Sequence, residues 1–498
     1  MNSTTRRLAA GALALTASVT VIITVPPNTA IAAEATEATG AAEAAGAAEA
    51  AGAAQAAPAA VRDTDVNGDG YNDLAVASPR YPNPAVPAQT GLIAVLYGGP
   101  NGLAGGPALI RPQPGCSSGY PTCSEWGSGL TAADVDRDGR TDLVSAGASD
   151  AQVHTWTPAG VSTSRRTARL GYRTALAVGQ TDDDPRPDIV AFWTGIYNRS
   201  YFGGWYNDGP MEFKGIGSGE YRTPTSAAIG TGPFGRLRGV FVGHDKYSAD
   251  TRTYLWQTFN LRTGPDHYVM GSEAACTTPK QGQVCTRPDS KVVLGDFNSD
   301  GHEDLVMVTP SEGTIHGWGS TTYGFGLYPY KVATDVPWLR AMAGSPISLA
   351  LGDVDGDGQA ELAIGDPNAT VSGQAKAGTV ALVPGTVTGW DLSGARLISQ
   401  DGVTSPGTPA TADPIGEQSA TNDAFGLAVS LLDVTRDGKA ELMIGAPGKQ
   451  GGRGMIALLP GSATGIGTGV GTGAAQVVHA QPIGVSEPDA RFGTVLLR

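Results

Sequence analysis

DVDGDGQAELAI, residues Asp353 to Ile364, sets oxygen-bearing side chains at its first, third and fifth positions, glycine at its sixth and an acid at its ninth, then runs into an apolar stretch. Four other stretches keep the pattern: DVNGDGYNDLAV from Asp65, DVDRDGRTDLVS from Asp134, DFNSDGHEDLVM from Asp296 and DVTRDGKAELMI from Asp433. Positions four, seven and eight vary while the spaced oxygen-bearing residues and the glycine are kept, so what recurs is a structural unit of turn plus strand.

Two eroded copies fill the widest gap. QTDDDPRPDIVAF, from Gln180, keeps Asp182, Asp184 and Asp188 but has Pro185 in place of the glycine; TGPFGRLRGVFVG, from Thr231, keeps the turn and the strand without the acids. Seven starts, at 65, 134, 180, 231, 296, 353 and 433, lie 46 to 80 residues apart. The flanks complete the unit. After the acid comes a strand ending in a small turn, as in IGAPG from Ile444 or IGDPN from Ile364, then another strand and a glycine-rich turn, as in GTVALVPGTVTG from Gly378. An aromatic–glycine pair precedes the loop, Phe425-Gly426 or Trp126-Gly127. Each unit is a short antiparallel meander that cannot bury both faces alone, so units must stack on one another. The 71 glycines and 34 prolines, which interrupt almost every helical periodicity, agree with many short strands. The expected fold is all-β: a seven-bladed β-propeller of four-stranded antiparallel blades over residues 61–498. The first unit opens at its loop with no aromatic–glycine strand before it, and DARFGTVLLR, at the end, is such a strand with no loop after it. The C-terminal strand is therefore expected to complete the N-terminal blade and close the ring.

These units resemble the FG-GAP (VCBS) repeats of the integrin α-subunit head and of bacterial integrin-like propellers. The acidic loops carry the likeness throughout, and the Phe-Gly and Gly-Ala-Pro halves match fully in the last unit. The resemblance implies a five-ligand metal loop set on a β-hairpin. The residues fit that reading: hard oxygen donors without sulfur or imidazole select Ca²⁺ over Zn²⁺ or copper. Glycine at the sixth position lets the backbone swing through a left-handed conformation, bringing the carbonyl of position seven and the acid of position nine toward the same point. No glutamate stands at position twelve, and a strand follows where an EF-hand would have a helix.

About five calcium sites are expected on this reading. The best uses Asp65, Asn67, Asp69, the Tyr71 carbonyl and Asp73. The others use Asp134, Asp136, Asp138, the Arg140 carbonyl and Asp142; Asp296, Asn298, Asp300, the His302 carbonyl and Asp304; and Asp353, Asp355, Asp357, the Gln359 carbonyl and Glu361. The weakest should be Asp433, Thr435, Asp437, the Lys439 carbonyl and Glu441, where a neutral hydroxyl replaces a carboxylate. The competing reading is a turn whose Asp and Asn side chains bond their own backbone.

Residues 1–32 read as a signal peptide, with Arg6 and Arg7, an apolar core from Leu8 to Val25 and a small-residue site at Ala30-Ile31-Ala32. Residues 33–60, rich in alanine and glutamate, read as a linker. A secreted, monomeric protein with no membrane span after cleavage is expected. The net charge of −14 disfavours nucleic acid and favours divalent cations. Four cysteines fall in two close pairs, Cys116 with Cys123 and Cys276 with Cys285, which an oxidising exterior would close as disulfides.

For function, extracellular recognition of a protein or glycan ligand leads, and a secreted carbohydrate-active enzyme, polysaccharide lyase or glycosidase-like, is the alternative. The GCSSG stretch from Gly115 to Gly119 matches a nucleophile elbow by letter, yet lacks the strand and helix that such an elbow needs. The six histidines form no metal or triad pattern, and no catalytic residue is assigned. FWTGIYNRSYFGGWY, residues 192–206, packs seven aromatics into fifteen positions and reads either as packing between blades or as a ligand platform.

Overall fold

The computed structural model describes residues 64–497 apart from 84–89, 113–124, 148–149, 168–171, 182–186, 195–199, 206–211, 216–221, 232–236, 246–252, 259–266, 279–282, 322–323, 327, 406–414 and 467–474. Residues 1–32 and 33–60, Cys116 and Cys123, the GCSSG stretch, and Asp182, Asp184 and Pro185 lie outside the described residues.

Among the described residues the fold is all-β and almost entirely antiparallel, with seven sheets of four or five strands and two small hairpins. In six of the sheets the chain enters on one strand, turns, and leaves on the next. In five of them position nine of the acidic loop or its eroded copy opens the second strand: Ala133 faces Asp142, Gly179 faces Asp188, Gly295 faces Asp304, Gly352 faces Glu361 and Leu432 faces Glu441. In the Thr231 unit the strands meet at Thr231 and Leu237, three residues too short for the loop.

The second strands carry apolar runs buried along their whole length, for example Asp304–Thr309, Glu361–Asp366 and Glu441–Ala446. Both of their faces need cover, which neighbouring sheets supply. Val380 and Ile398 of one sheet pack with Val429 and Leu442 of the next, and Leu74 and Leu92 of the first sheet pack with Met443 and Ile456 of the last. Two glycines show why the recurring dipeptides are needed. A Cβ on Gly445, in Ile444-Gly445-Ala446-Pro447, would stand 2.0 Å from the Gly493 carbonyl oxygen, and one on Gly365 would stand 2.0 Å from that of Gly426. The Phe-Gly of one unit thus closes against the small turn of the unit before it.

The last strand, Val495–Leu496, joins the first sheet, pairing Val76 with Leu496 and Ala77 with Val495. The entry strands lie side by side in sequence: Gly129–Ala133 beside Tyr172–Gly179, then Arg222–Thr231, Lys291–Gly295, Ser348–Gly352 and Ala428–Leu432, with Val495–Leu496 next to both Ala428–Leu432 and Gly129–Ala133. A cavity of about 540 Å³ lies where these strands converge, lined by Leu130, Leu176, Ala227, Val292, Ala428 and Val495 among others. Cys276 and Cys285 form a disulfide. Among the described residues no helix is long and apolar enough to cross a membrane.

Candidate metal centres

The loops share one backbone path. Position six is left-handed in all five, with φ of 94° at Gly70, 86° at Gly139, 83° at Gly301, 83° at Gly358 and 84° at Gly438. Position four is left-handed too, a requirement not recognised from sequence although Gly68 and Gly356 were its signal; Arg137, Ser299 and Arg436 adopt the same conformation without being glycine. The first acid caps the turn it begins. Asp65 Oδ2 accepts from the Gly70 N–H at 2.7 Å, and Asp134, Asp296, Asp353 and Asp433 accept from the corresponding glycines at 2.8–3.0 Å. The fifth-position carboxylate accepts from the seventh N–H, as in Gln359 to Asp357 at 2.7 Å. The side-chain-to-backbone turn is therefore real, and it is compatible with a metal, because each carboxylate oxygen has two lone pairs.

The ninth-position acid does something else. In every loop it reaches back to the N–H of position two: Val66 to Asp73 at 3.0 Å, Val135 to Asp142 at 3.0 Å, Phe297 to Asp304 at 3.3 Å, Val354 to Glu361 at 2.8 Å and Val434 to Glu441 at 2.8 Å. Three of these acids spend the other oxygen as well, on the N–H of Gly98, Ser320 or Gly385 beyond the following strand. Burial, the largest influence, pushes Asp73, Asp304 and Glu441 up to about 7 and Glu361 up to about 8, against the pull of those N–H groups. Neighbouring acids of the same loop push in the same direction as burial, so the pocket favours either protons or a cation.

Oxygen atoms gather within 4.8 Å of one another in three loops: Asp134, Asp136 and Asp142; Asp353, Asp355 and Asp357; Asp433, Asp437 and Glu441. That spread suits one calcium ion, since ligands at 2.3–2.6 Å can stand up to about 5 Å apart across it. This convergence does not follow formal ligand charge: the Asp433 loop, with its neutral hydroxyl, is among the three and the Asp65 loop is not. In the Asp433 loop the Thr435 hydroxyl donates to Glu441 Oε1 at 3.1 Å and lies 3.4 Å from Asp433 Oδ1. In the Asp65 and Asp296 loops the ninth acid is held by two backbone N–H groups, and Asn67 and Asn298 turn their amide NH₂ toward Asp69 and Asp300.

Comparison with known proteins follows these loops. A model of the FG-GAP repeat matches residues 345–383 and 425–459, and one of the FG-GAP-like repeat matches 65–145. The chain carries FG-GAP repeats. Integrin alpha-IIb of Mus musculus is 34% identical over 102 residues, 20% of this chain and 9% of that protein's length. Among solved structures, an Agrocybe aegerita lectin described as recognising non-reducing terminal N-acetylglucosamine is 11% identical over 85% of this chain and 94% of its own, with a TM-score of 0.43. AofleA from Arthrobotrys oligospora is 10% identical over 70% of this chain and 88% of its own, with a TM-score of 0.34.

Four of the five acidic loops lie inside the matched FG-GAP residues, and the Asp296 loop repeats their geometry outside them. Neighbouring acidic loops touch. The Ser299 hydroxyl donates to the Gly358 carbonyl at 2.5 Å, the Ala440 N–H to the Asp353 carbonyl at 2.7 Å and the Asn72 amide to the Asp433 carbonyl at 2.8 Å, while Arg436 donates to the Gly70 carbonyl. Away from the loops, Ser145 Oγ lies 2.9 Å from His154 Nε2, yet both residues are fully buried and the other ring nitrogen meets Thr163, not an acid. This is a packed core pair, and burial lowers His154 to about 3. Of the aromatic run, Phe192 is buried; the side chains of the others lie outside the described residues.

Proposed function

We propose that the chain is a secreted, calcium-loaded, seven-bladed propeller, closed by its C-terminal strand, that binds a protein or glycan ligand outside the cell. The observation that carries the metal reading is the convergence of carboxylate oxygens, at one repeated spacing, in three FG-GAP loops. The ring is supported by seven sheets, by six entry strands that lie side by side, and by the Val495–Leu496 strand, which lies next to the first and the last of those six. The Cys276–Cys285 bond supports an oxidising exterior. The metal's part would be to cancel clustered negative charge and pin each hairpin. Recognition is supported by an apolar surface: Tyr328, Tyr330 and Val332 are 54%, 45% and 44% exposed, and the hairpin Gly385–Trp390, whose second strand packs against Lys331–Ala333, exposes Val387.

The test is a glycan array and a panel of surface proteins, probed with wild type in millimolar calcium, in chelator, and with a Tyr328→Ala/Tyr330→Ala double variant. Calcium-dependent binding that the double variant weakens at least tenfold is expected. Binding indifferent to chelator overturns the calcium requirement, and a glycan that is cleaved instead of held supports the carbohydrate-active alternative.

A further inference from the structure

The segment Tyr328–Ala333 is inside out. Tyr328, Tyr330 and Val332 face solvent, and Lys331 between them is fully buried. A lysine is a costly choice for such a position unless its charge has a task, because an apolar side chain would fill the space without desolvating an ammonium. Lys331 Nζ donates to the Phe297 carbonyl at 3.1 Å and to Gln359 Oε1 at 3.2 Å. It lies 4.6 Å from the centre of the Phe297 ring and 5.5 Å from that of Trp390. Phe297 is the second residue of the Asp296 loop and Gln359 the seventh of the Asp353 loop. One ammonium therefore bridges two candidate metal loops on adjacent sheets, walled from water by two aromatic rings. Asp304, Asp357 and Glu361, drawn from both loops, are the charges that act on it. Among the described residues, the basic side chains of the other loops, Arg137, Arg140, Arg436 and Lys439, all reach solvent, where screening blunts them.

We propose that Lys331 is a built-in cation shared by the Asp296 and Asp353 loops, which holds both in shape without metal and lowers their affinity for calcium. The proposal rests on the calcium reading above. A dication entering either loop meets a fixed positive charge in a region where water screens poorly, so these two sites fill last. The Asp134 and Asp433 loops, which among the described residues have no buried ammonium beside them, fill first.

Calcium titration by native mass spectrometry and calorimetry on the whole chain, together with melting in calcium-free buffer, tests this. Lys331→Met removes the charge, and Lys331→Gln removes it while keeping a donor for the Phe297 carbonyl. In both, two of the ions should bind about tenfold or more tightly, the remaining ions should be unchanged, and calcium-free melting should fall. Lys331→Arg should retain the weak pair. Folded neutral variants with wild-type affinities, or a gain spread equally over all ions, overturn the proposal. A wild type that takes up no calcium overturns the calcium reading itself.

Discussion

At position four of each loop the backbone is left-handed whether or not the residue is glycine: φ is 77° and 79° at Gly68 and Gly356, and 64°, 58° and 58° at Arg137, Ser299 and Arg436. A side chain with a Cβ pays about 1–2 kcal/mol for that conformation. Ser299 and Arg436 gain hydrogen bonds to the neighbouring loop in return, whereas Arg137 is exposed. Arg137→Gly should therefore stabilise the fold by about 0.5–1 kcal/mol, the relief being partly offset by the freedom glycine gains when unfolded. Gly139, two residues on, gives the reverse case. A Cβ there meets nothing within 4 Å, so Gly139→Ala isolates the φ term and should cost about 1–2 kcal/mol. Denaturation midpoints of the two variants check both signs; a neutral Gly139→Ala would mean that the loop relaxes away from its left-handed turn.

The hairpin is the element in which turn and latch combine. Asp188 sits at position nine of the eroded unit, fully buried, and still accepts the Thr181 N–H at 3.1 Å and the Thr181 hydroxyl. The latch has thus outlived the glycine that the metal loop needs, which separates a structural duty of the ninth acid from ligation. Asp188→Ala should cost about 1–3 kcal/mol by stranding buried donors and leave the number of bound calcium ions unchanged. Loss of an ion in that variant would make the eroded loop a working site. The hairpins and the loop glycines were legible because each is a local pattern: an apolar run after a turn, a fixed ligand spacing, a glycine where the backbone turns left-handed. What was not legible depends on partners distant in sequence. Nothing near Asp73 announces that Gly98 will take its second oxygen, and nothing in YPYKVA predicts that the lysine goes in and the tyrosines out. The convergence of acids fails to track formal ligand charge for the same reason, since backbone N–H groups engage both oxygens of Asp73.

Across the whole molecule the buried ninth-position acids set how stability responds to pH. Burial raises Asp73, Asp304 and Glu441 to about 7 and Glu361 to about 8, and Asp142 also moves upward from the usual carboxylate range for the same reason. A group whose pKa is higher folded than unfolded favours the fold in its protonated form. That benefit is complete below about pH 4, the ordinary carboxylate value, and is lost as pH climbs through the folded values. Asp391, held below the usual range by the Ser393 hydroxyl, titrates beneath this window and does not oppose the trend. His154 and His316, which burial lowers to about 3 and about 4, do oppose it up to about pH 6.5, the ordinary histidine value. They are outnumbered by the raised acids, so the calcium-free chain should lose stability as pH rises toward about 8, most steeply above about pH 6.5, where the histidines no longer contribute. Calcium requires the ionised form, so it competes with protons at these same groups and stabilises most where they have ionised. Melting followed from pH 5 to about pH 8 should show curves with and without millimolar calcium that nearly meet at the acid end and separate toward the alkaline end. A calcium-free protein that grows more stable over that range would mean that the ninth-position acids ionise freely in the folded chain, and that their N–H partners outweigh their burial.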